Sequence, residues 1–316
     1  MNMDYVGIDV SKQHLDLAVA GARVERLANS EAGLSVLVER LSALEHPHVV
    51  CEATGRYTRL LARWMGERSI AFSQVNPRRV RELARASGQR AKTDAIDAGM
   101  ILRFASLMQP EPNPPASPHI LELAELVRRR RQLVDMLAAD KQRQTGAQSE
   151  LVHASVTALA AFVSAQVKAL DAAIAQAIAA EAELAQRAQL LCSIPGIGQT
   201  TAAVLVAELP ELGRIGKKQI AALAGLAPFV RDSGQFRGQA HIAGGRLSVR
   251  CALYMATISA IRANPPVKAF YRHLREAGKP AKLAIVAAMR KLLVTANAII
   301  ATGKPWNASI KNNKHN

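Results

Sequence analysis

Four carboxylates are the residues in this chain whose types and spacing could do chemistry. Asp9 sits inside the apolar run Tyr5-Val6-Gly7-Ile8-Asp9-Val10, where an unpaired carboxylate would be costly to bury. Glu52 closes the short apolar run His48-Val49-Val50-Cys51, just ahead of Ala53-Thr54-Gly55-Arg56. Carboxyl ends of strands in open α/β sheets are where sites are built. Asp94 and Asp97 stand three apart in Lys92-Thr93-Asp94-Ala95-Ile96-Asp97, which on a helix puts both on one face. Like charges so placed repel unless something positive lies between them. Hard oxygen donors of this kind suit Mg2+ or Mn2+, which keep several waters and take phosphate oxygens into their shell. Two such ions ~3.5–4 Å apart can hold both the attacking and the leaving oxygen of a phosphodiester. Singly, each residue has an ordinary reading: Asp9 as a strand-end turn, Asp94 as a helix cap, Asp97 on a solvated face. As a set in this order they point to a metal site. Asp16, on the following strand, is a spare carboxylate expected to face solvent.

A second group could act on phosphate. Gly225-Leu226-Ala227-Pro228 precedes Arg231-Asp232-Ser233-Gly234, with Arg237-Gly238 and Gly244-Gly245-Arg246 behind it. A serine in a glycine-rich, arginine-flanked loop can expose its hydroxyl while backbone amides and guanidinium forks hold a phosphate. A Ser-Gly pair alone is more often a turn, but Arg231, Arg237, Arg246 and Arg250 favour the phosphate reading. Asp232 and His241 are the nearest groups that could act as its base. Pro195-Gly196-Ile197-Gly198 ahead of a helical run resembles the hairpin of a helix-hairpin-helix element, whose amides grip a phosphate without reading bases; the bland alternative is a glycine turn. Arg78, Arg79, Arg81, Arg85, Arg90 and Lys92 lead into the acidic pair and could guide a nucleic-acid backbone towards it. The run Arg128 to Arg131 points all round a helix and reads equally well as a solvated face.

These residues need elements to position them. Residues 3–20 read as two strands, with a possible third from Ala22 to Leu27. Helical periodicity follows at Leu34, Leu37, Val38 and Leu41, then the strand ending at Glu52. A helix from Tyr57 to Glu67, a strand Ile70 to Val75 and helices on both sides of Gly88 complete an α/β layer pattern. Prolines at 110, 112, 114, 115 and 118 mark a stiff linker and a domain boundary. From His119 to about Arg187 the chain is helix-forming, with stripes at Ile120, Leu123, Val127, Val134, Leu137 and at Val163, Val167, Leu170, Ile174, Ile178. Stripes this narrow suggest an antiparallel hairpin or a coiled coil through which subunits associate. The expected division is residues 1–112, a linker and coiled coil over 113–189, and a basic region over 190–316.

The formal net charge of +16 is confined to one region. Residues 1–211 carry 23 basic and 23 acidic side chains, whereas residues 212–316 carry 18 basic ones against Asp232 and Glu276. A field of one sign in one region suggests a polyanionic partner with salt-sensitive binding. Cys51, Cys192 and Cys251 are odd in number and far apart, against a disulfide framework or a structural zinc site. No signal-peptide pattern is evident. Val156 to Ala180 carries Lys168 and Asp171, and Leu292 to Thr302 is shorter than the ~20 residues a bilayer needs. The expectation is a soluble cytoplasmic, nucleoid-associated protein.

Gly7-Ile8-Asp9-Val10-Ser11-Lys12, Cys51-Glu52-Ala53-Thr54-Gly55 and Lys92-Thr93-Asp94-Ala95-Ile96-Asp97-Ala98 resemble the three acidic motifs of the DEDD transposases of insertion-sequence family 110 and the related site-specific DNA invertases. The set from Ile194-Pro195-Gly196-Ile197-Gly198 through Gly225-Leu226-Ala227-Pro228, Ser233-Gly234 and Gly244-Gly245-Arg246 resembles the C-terminal domain of that family. The resemblance implies a ribonuclease-H-fold, Holliday-junction-resolvase-like domain, a coiled coil, and a mostly helical C-terminal transposase domain with a helix-hairpin-helix-like element. It implies Mg2+ held by Asp9, Glu52, Asp94 and Asp97, and Ser233 attacking DNA to give a phosphoserine link that a second strand resolves. It also implies a homo-oligomer and a non-coding bridge RNA that pairs with target and donor DNA.

Other classes compete. A metal-dependent Holliday-junction nuclease would use the acids and leave Ser233 as a turn. An actin-like or sugar-kinase ATPase also opens on a Gly-x-Asp strand, but its further glycine-rich phosphate loops are not evident in the first region. An architectural DNA binder would explain the charge and leave the four acids without a purpose.

Overall fold

The computed structural model describes residues 3–53, 55–88, 94–113, 117–146, 148–229 and 241–307, with residues 56, 94 and 95 described in backbone only. The chain divides into two compact units, Met1–Ser117 and Pro118–Asn316.

The first unit is an α/β layer structure. Its strands are β1 (Asp4–Val10), β2 (His14–Val19), β3 (Glu25–Ala28), β4 (Pro47–Glu52) and β5 (Ala71–Val75). They form one sheet in the order β3-β2-β1-β4-β5. The β1-β2-β3 part is antiparallel and β1-β4-β5 is parallel. Helices α1 (Glu31–Leu41) and α2 (Arg59–Glu67) close one face, and α3 (Pro77–Ala86) and α4 (Asp94–Met108) belong to the other. The period-2 alternation of side chains sorts the core. Val6, Ile8, Leu15, Leu17, Val49 and Cys51 meet Leu34, Leu37, Leu61 and Met65 on one side. Val50 and Val75 meet Val80, Ile101 and Phe104 on the other. Ser30 caps α1 by accepting from the Gly33 amide, and Asn76 caps α3 ahead of Pro77, which needs no amide there.

The third strand begins at Glu25 rather than Ala22, because a turn through Gly21, φ +75°, occupies the residues between. The helix expected from Tyr57 starts as a 3-10 turn, Gly55–Thr58, and becomes α-helical at Arg59. The proline-rich stretch is not wholly a free linker. Between its prolines the Asn113 amide donates to the Phe72 carbonyl at 2.7 Å, and Ser73 Oγ donates to the Glu111 carbonyl at 2.7 Å. These bonds fasten the stretch to the outer strand β5, within the compact unit that runs to Ser117.

The second unit is helical: α5 (Pro118–Gly146), α6 (Glu150–Ala179), α7 (Ala182–Cys192), α8 (Gln199–Glu208), α9 (Lys217–Leu223), α10 (Leu247–Ala263), α11 (Pro265–Glu276) and α12 (Ala281–Thr302). A two-stranded antiparallel ribbon, β6 (Pro228–Phe229) with β7 (His241–Ile242), completes it. Helices α5 and α6 pack as a hairpin, braced by Arg130, whose Nε donates to Asp171 Oδ1 at 2.5 Å. Arg130 of the four-arginine run is therefore a strut. The α5 stripe runs through Leu123, Val127 and Leu133, leaving Val134 exposed. Leu123, Val127 and Ile174 share one core with α7 to α12, so the hairpin base and residues 190 onward form a single unit. Helices α6 and α12 are each long and apolar enough to cross a membrane by length and composition. The short run expected at Leu292 lengthens to 22 residues, and its Ala288, Met289, Leu292 and Ala296 lie in that core.

Candidate active site

The acidic residues of the first unit are ordered by strand register. In the β1-β2 ladder Asp9 stands opposite Asp16, and in the β2-β3 ladder Asp16 stands opposite Arg26. The β1-β4 ladder is paired to Ile8 and Cys51; one step further that register sets Asp9 beside Glu52. Glu52 in turn opposes Val75. Directly opposed residues share a face, so Arg26, Asp16, Asp9 and Glu52 form a transverse row on the α3-α4 side. Cys51 reports on the same neighbourhood from the other face. Burial pushes its thiol pKa far up, and the charges of Glu52 and Asp9 push it in the same direction.

Gly7 brings the third carboxylate in. A Cβ there would stand 2.6 Å from the Ala98 carbonyl oxygen and closer still to the Leu102 amide nitrogen. Only glycine lets α4 lie so near the sheet. Asp94 and Asp97 occupy the first turn of that helix. Asp97 and Glu52 line one recess of about 40 Å³ with Val80, Arg81, Ala84, Ile96 and Met100. The Asp94 side chain lies outside the described residues. Among the described residues, no three carboxylate, imidazole or thiol groups converge to hold a metal ion. What the fold brings together is Asp9 beside Glu52 by register, and Glu52 with Asp97 in a recess that an arginine also lines. Donors of this type fit a hard divalent cation.

The basic approach is sorted by the same packing. Arg81 lines the acidic recess, Arg79 lies over the Phe104 ring at 5.2 Å, and Arg78 is paired with Glu82 at 2.7 Å. Arg85 is exposed. Lys92 and Arg90 lie outside the described residues. Asp16 does not face solvent as expected: it is 4% exposed and held by Arg26 through Oδ1 at 2.8 Å and Oδ2 at 3.0 Å. A buried carboxylate without such a fork would be strongly penalised. Sequence reasoning missed Arg26. The short turn Ser11-Lys12-Gln13 was a signal, since a tight hairpin fixes the register that opposes Asp9 to Asp16.

In the second unit Gly225, Gly244 and Gly245 all have positive φ, at +68°, +66° and +69°. A Cβ on Gly225 would strike the Gly244 carbonyl and Arg250, and one on Gly245 would strike the Gly225 amide. The two glycine segments therefore interlock at the base of the β6-β7 ribbon. Arg246 is committed there, donating to both oxygens of Glu211 at 2.5 and 2.6 Å. Burial would raise the Glu211 pKa, but the Arg246 hydrogen bond and charge leave it lowered. Arg250 donates to the Gly244 carbonyl at 2.5 Å. Both arginines thus brace the ribbon. Ser233, Arg231, Asp232 and Arg237 lie between its strands, outside the described residues, while His241 is exposed on β7. Gly196, φ +105°, packs against Ala260, and Gly198 stands exposed at the N-cap of α8 with open space around it. A separate apolar groove of about 860 Å³ is lined by Val134, Ile174, Cys192, Ala203, Glu208 and Met255. Glu208 there has a raised pKa, chiefly from burial.

Two family models match the chain. A DEDD transposase model of insertion sequence 110 covers residues 6–150, and the transposase model of the IS116/IS110/IS902 family covers residues 188–272. The pilin gene-inverting proteins of Moraxella bovis and Moraxella lacunata are each 30% identical over 321 residues, spanning 98% of this chain and 99% of theirs. An uncharacterised 43.6 kDa protein of insertion element IS110 from Streptomyces coelicolor is 28% identical over 116 residues, covering 36% of this chain and 29% of its own. With the acidic row and the basic helical unit already in place, these matches show that the chain belongs to the IS110 family of DEDD transposases, enzymes of DNA recombination.

Proposed function

We propose that the chain exchanges DNA strands using a divalent-metal site on Asp9, Glu52, Asp94 and Asp97, with Ser233 as nucleophile. The observation that carries the reading is the register row: Asp9 and Glu52 adjoin on one face, and Glu52 and Asp97 line one recess with Arg81. The sheet order and layers support a ribonuclease-H-like, resolvase-like domain. Mg2+, or Mn2+ in its place, would lower the charge of the scissile phosphate and steady the leaving oxygen. The four carboxylates would hold that charge in place, and Arg81, which lines the same recess, would offer a cation to the phosphate backbone. Ser233 Oγ forms a bond to phosphorus as the bond from phosphorus to a deoxyribose oxygen breaks. The serine proton ends on the released DNA hydroxyl. A hydroxyl of the second strand then attacks the phosphoserine, restoring the serine and one phosphodiester. No nucleotide hydrolysis is needed, because the ester is conserved.

The relatives named for inverting pilin genes support DNA inversion or transposition as the outcome, acting on DNA in the cytoplasm. The basic excess of residues 212–316 supports nucleic acid as the partner, including a non-coding bridge RNA that selects the DNA. Gly196 and Gly198 at α8 supply backbone contacts to phosphate. The exposed apolar side chains of α6, among them Leu159 and Phe162, support a homo-oligomer.

A junction nuclease acting through the acids alone is the second reading, because the described geometry is that of the acids. A denaturing gel of end-labelled DNA separates the two. The serine reading predicts label migrating with protein for the wild type and none for Ser233→Ala, with DNA affinity retained. Cleavage by Ser233→Ala at the wild-type rate, with no adduct in either protein, would establish the nuclease.

A further inference from the structure

The transverse row contains two charged residues that the acidic site does not use. Asp16 is the cross-strand partner of Asp9, and Arg26 is the cross-strand partner of Asp16. Directly opposed Cβ atoms are ~4.5–5.5 Å apart, so a fifth carboxylate stands at the rim of the site. It is 4% exposed, and one guanidinium takes both of its oxygens, Nε to Oδ1 at 2.8 Å and Nη2 to Oδ2 at 3.0 Å. Like charges directly opposite on a ladder are unfavourable, yet here the sheet keeps both.

We infer that Arg26 is a built-in counter-cation that holds Asp16 out of the metal shell, and that Asp16 is a positioning residue setting the charge beside Asp9. The inference rests on the acidic-site reading. A buried carboxylate without Arg26 has three outlets: it takes a proton, opens to water, or takes another cation. A divalent ion bound at Asp9, the cross-strand partner of Asp16, would be such a cation. Divalent affinity rises with the number of carboxylates that reach the ion. Each added carboxylate also closes a position that phosphate oxygens need. The Asp16–Arg26 pair therefore trades metal affinity for an open shell.

The test is Mn2+ binding followed by electron paramagnetic resonance, with the Mg2+-induced rise in Tm measured beside it, on the full-length protein. Arg26→Gln frees Asp16 and should bind Mn2+ roughly tenfold more tightly, with a larger Mg2+-induced rise than the wild type. Adding Asp16→Asn to that variant should remove both gains. Asp16→Asn alone removes a negative charge beside Asp9 while keeping the Arg26 cation and should weaken Mn2+ binding roughly tenfold, which keeps the test decisive if Arg26→Gln does not fold. Mn2+ titrations of Arg26→Gln and Asp16→Asn that superimpose on the wild type would make the pair a strut and overturn the inference. An Asp9→Asn titration identical to the wild type would instead overturn the acidic-site reading beneath it.

Discussion

His48 shows at the level of one residue how the acidic strand is anchored. It is buried beneath Tyr5, with ring centroids 5.2 Å apart, and its Nε2 lies 2.8 Å from Ser73 Oγ. Ser73 gives its own proton to the Glu111 carbonyl, so the network assigns the His48 Nε2–H as donor to Ser73. Burial lowers the His48 pKa. The folded state therefore resists a proton that the unfolded chain accepts below about pH 6.5. His48 costs nothing above that pH, and its penalty grows as pH falls from there to the lowered native value. Urea melts at pH 5 and pH 7.5 should show a smaller loss of stability for His48→Gln, which keeps a donor, than for the wild type. At Arg246 the expected outcome is structural: Arg246→Ala strands the half-buried Glu211 carboxylate and should cost about 1.5–3 kcal/mol in the same melts. The acids themselves were legible in the sequence because Asp9 and Glu52 interrupt apolar strands. Arg26 was not, since its role exists only through the β2-β3 register. Arg246 was read as a phosphate ligand because its partner, Glu211, is distant in sequence and met only in the fold.

At the level of elements, α4 decides whether the acids form a site. Its approach depends on Gly7, where a Cβ would meet the Ala98 carbonyl at 2.6 Å. Gly7→Ala should cost about 1–3 kcal/mol by overpacking. It should also cut strand cleavage by about 10²-fold, the scale of a displacement of ~1 Å in a catalytic group. Thermal melts and single-turnover rates check the two effects separately. The strands and helices of this unit were readable from their periods. The docking of residues 109–113 on β5 was not, because prolines mask it and the bonds come from the Asn113 amide and the Glu111 carbonyl. Helix α6 carries the other elemental consequence. Leu151, Val152, Leu159 and Phe162 are 80%, 50%, 46% and 62% exposed on it. Large apolar side chains grouped in this way mark an interaction surface. Leu159→Glu with Phe162→Glu should lower the mass measured by light scattering towards that of one chain. The melting temperature of the individual subunit should change little.

Across the whole molecule the four acids and the excess positive charge fall in different units. The acids lie in Met1–Ser117, whereas the basic excess lies in residues 212–316 of the other unit. Within that unit Lys268, Arg272 and Arg275 follow a helical row on α11, with both arginines exposed, as are Arg262, Lys279 and Lys282. Each phosphate contact adds about one to the slope of log affinity against log salt. Arg272→Gln with Arg275→Gln should therefore reduce that slope by about two and weaken DNA of any sequence alike. The charge asymmetry was plain from the sequence, and so was the family. The order of the carboxylates across the sheet needed the registers. On the function proposed above, those carboxylates, gathered by β1, β4 and α4, form a divalent-metal centre for phosphodiester transfer. Its most direct test is strand cleavage of a DNA substrate by Asp97→Asn across a Mg2+ titration, with DNA affinity measured at the same salt. Asp97→Asn should lose at least ~10²-fold in cleavage with affinity unchanged. Cleavage by Asp97→Asn at the wild-type rate, or by the wild type in excess chelator, would contradict it.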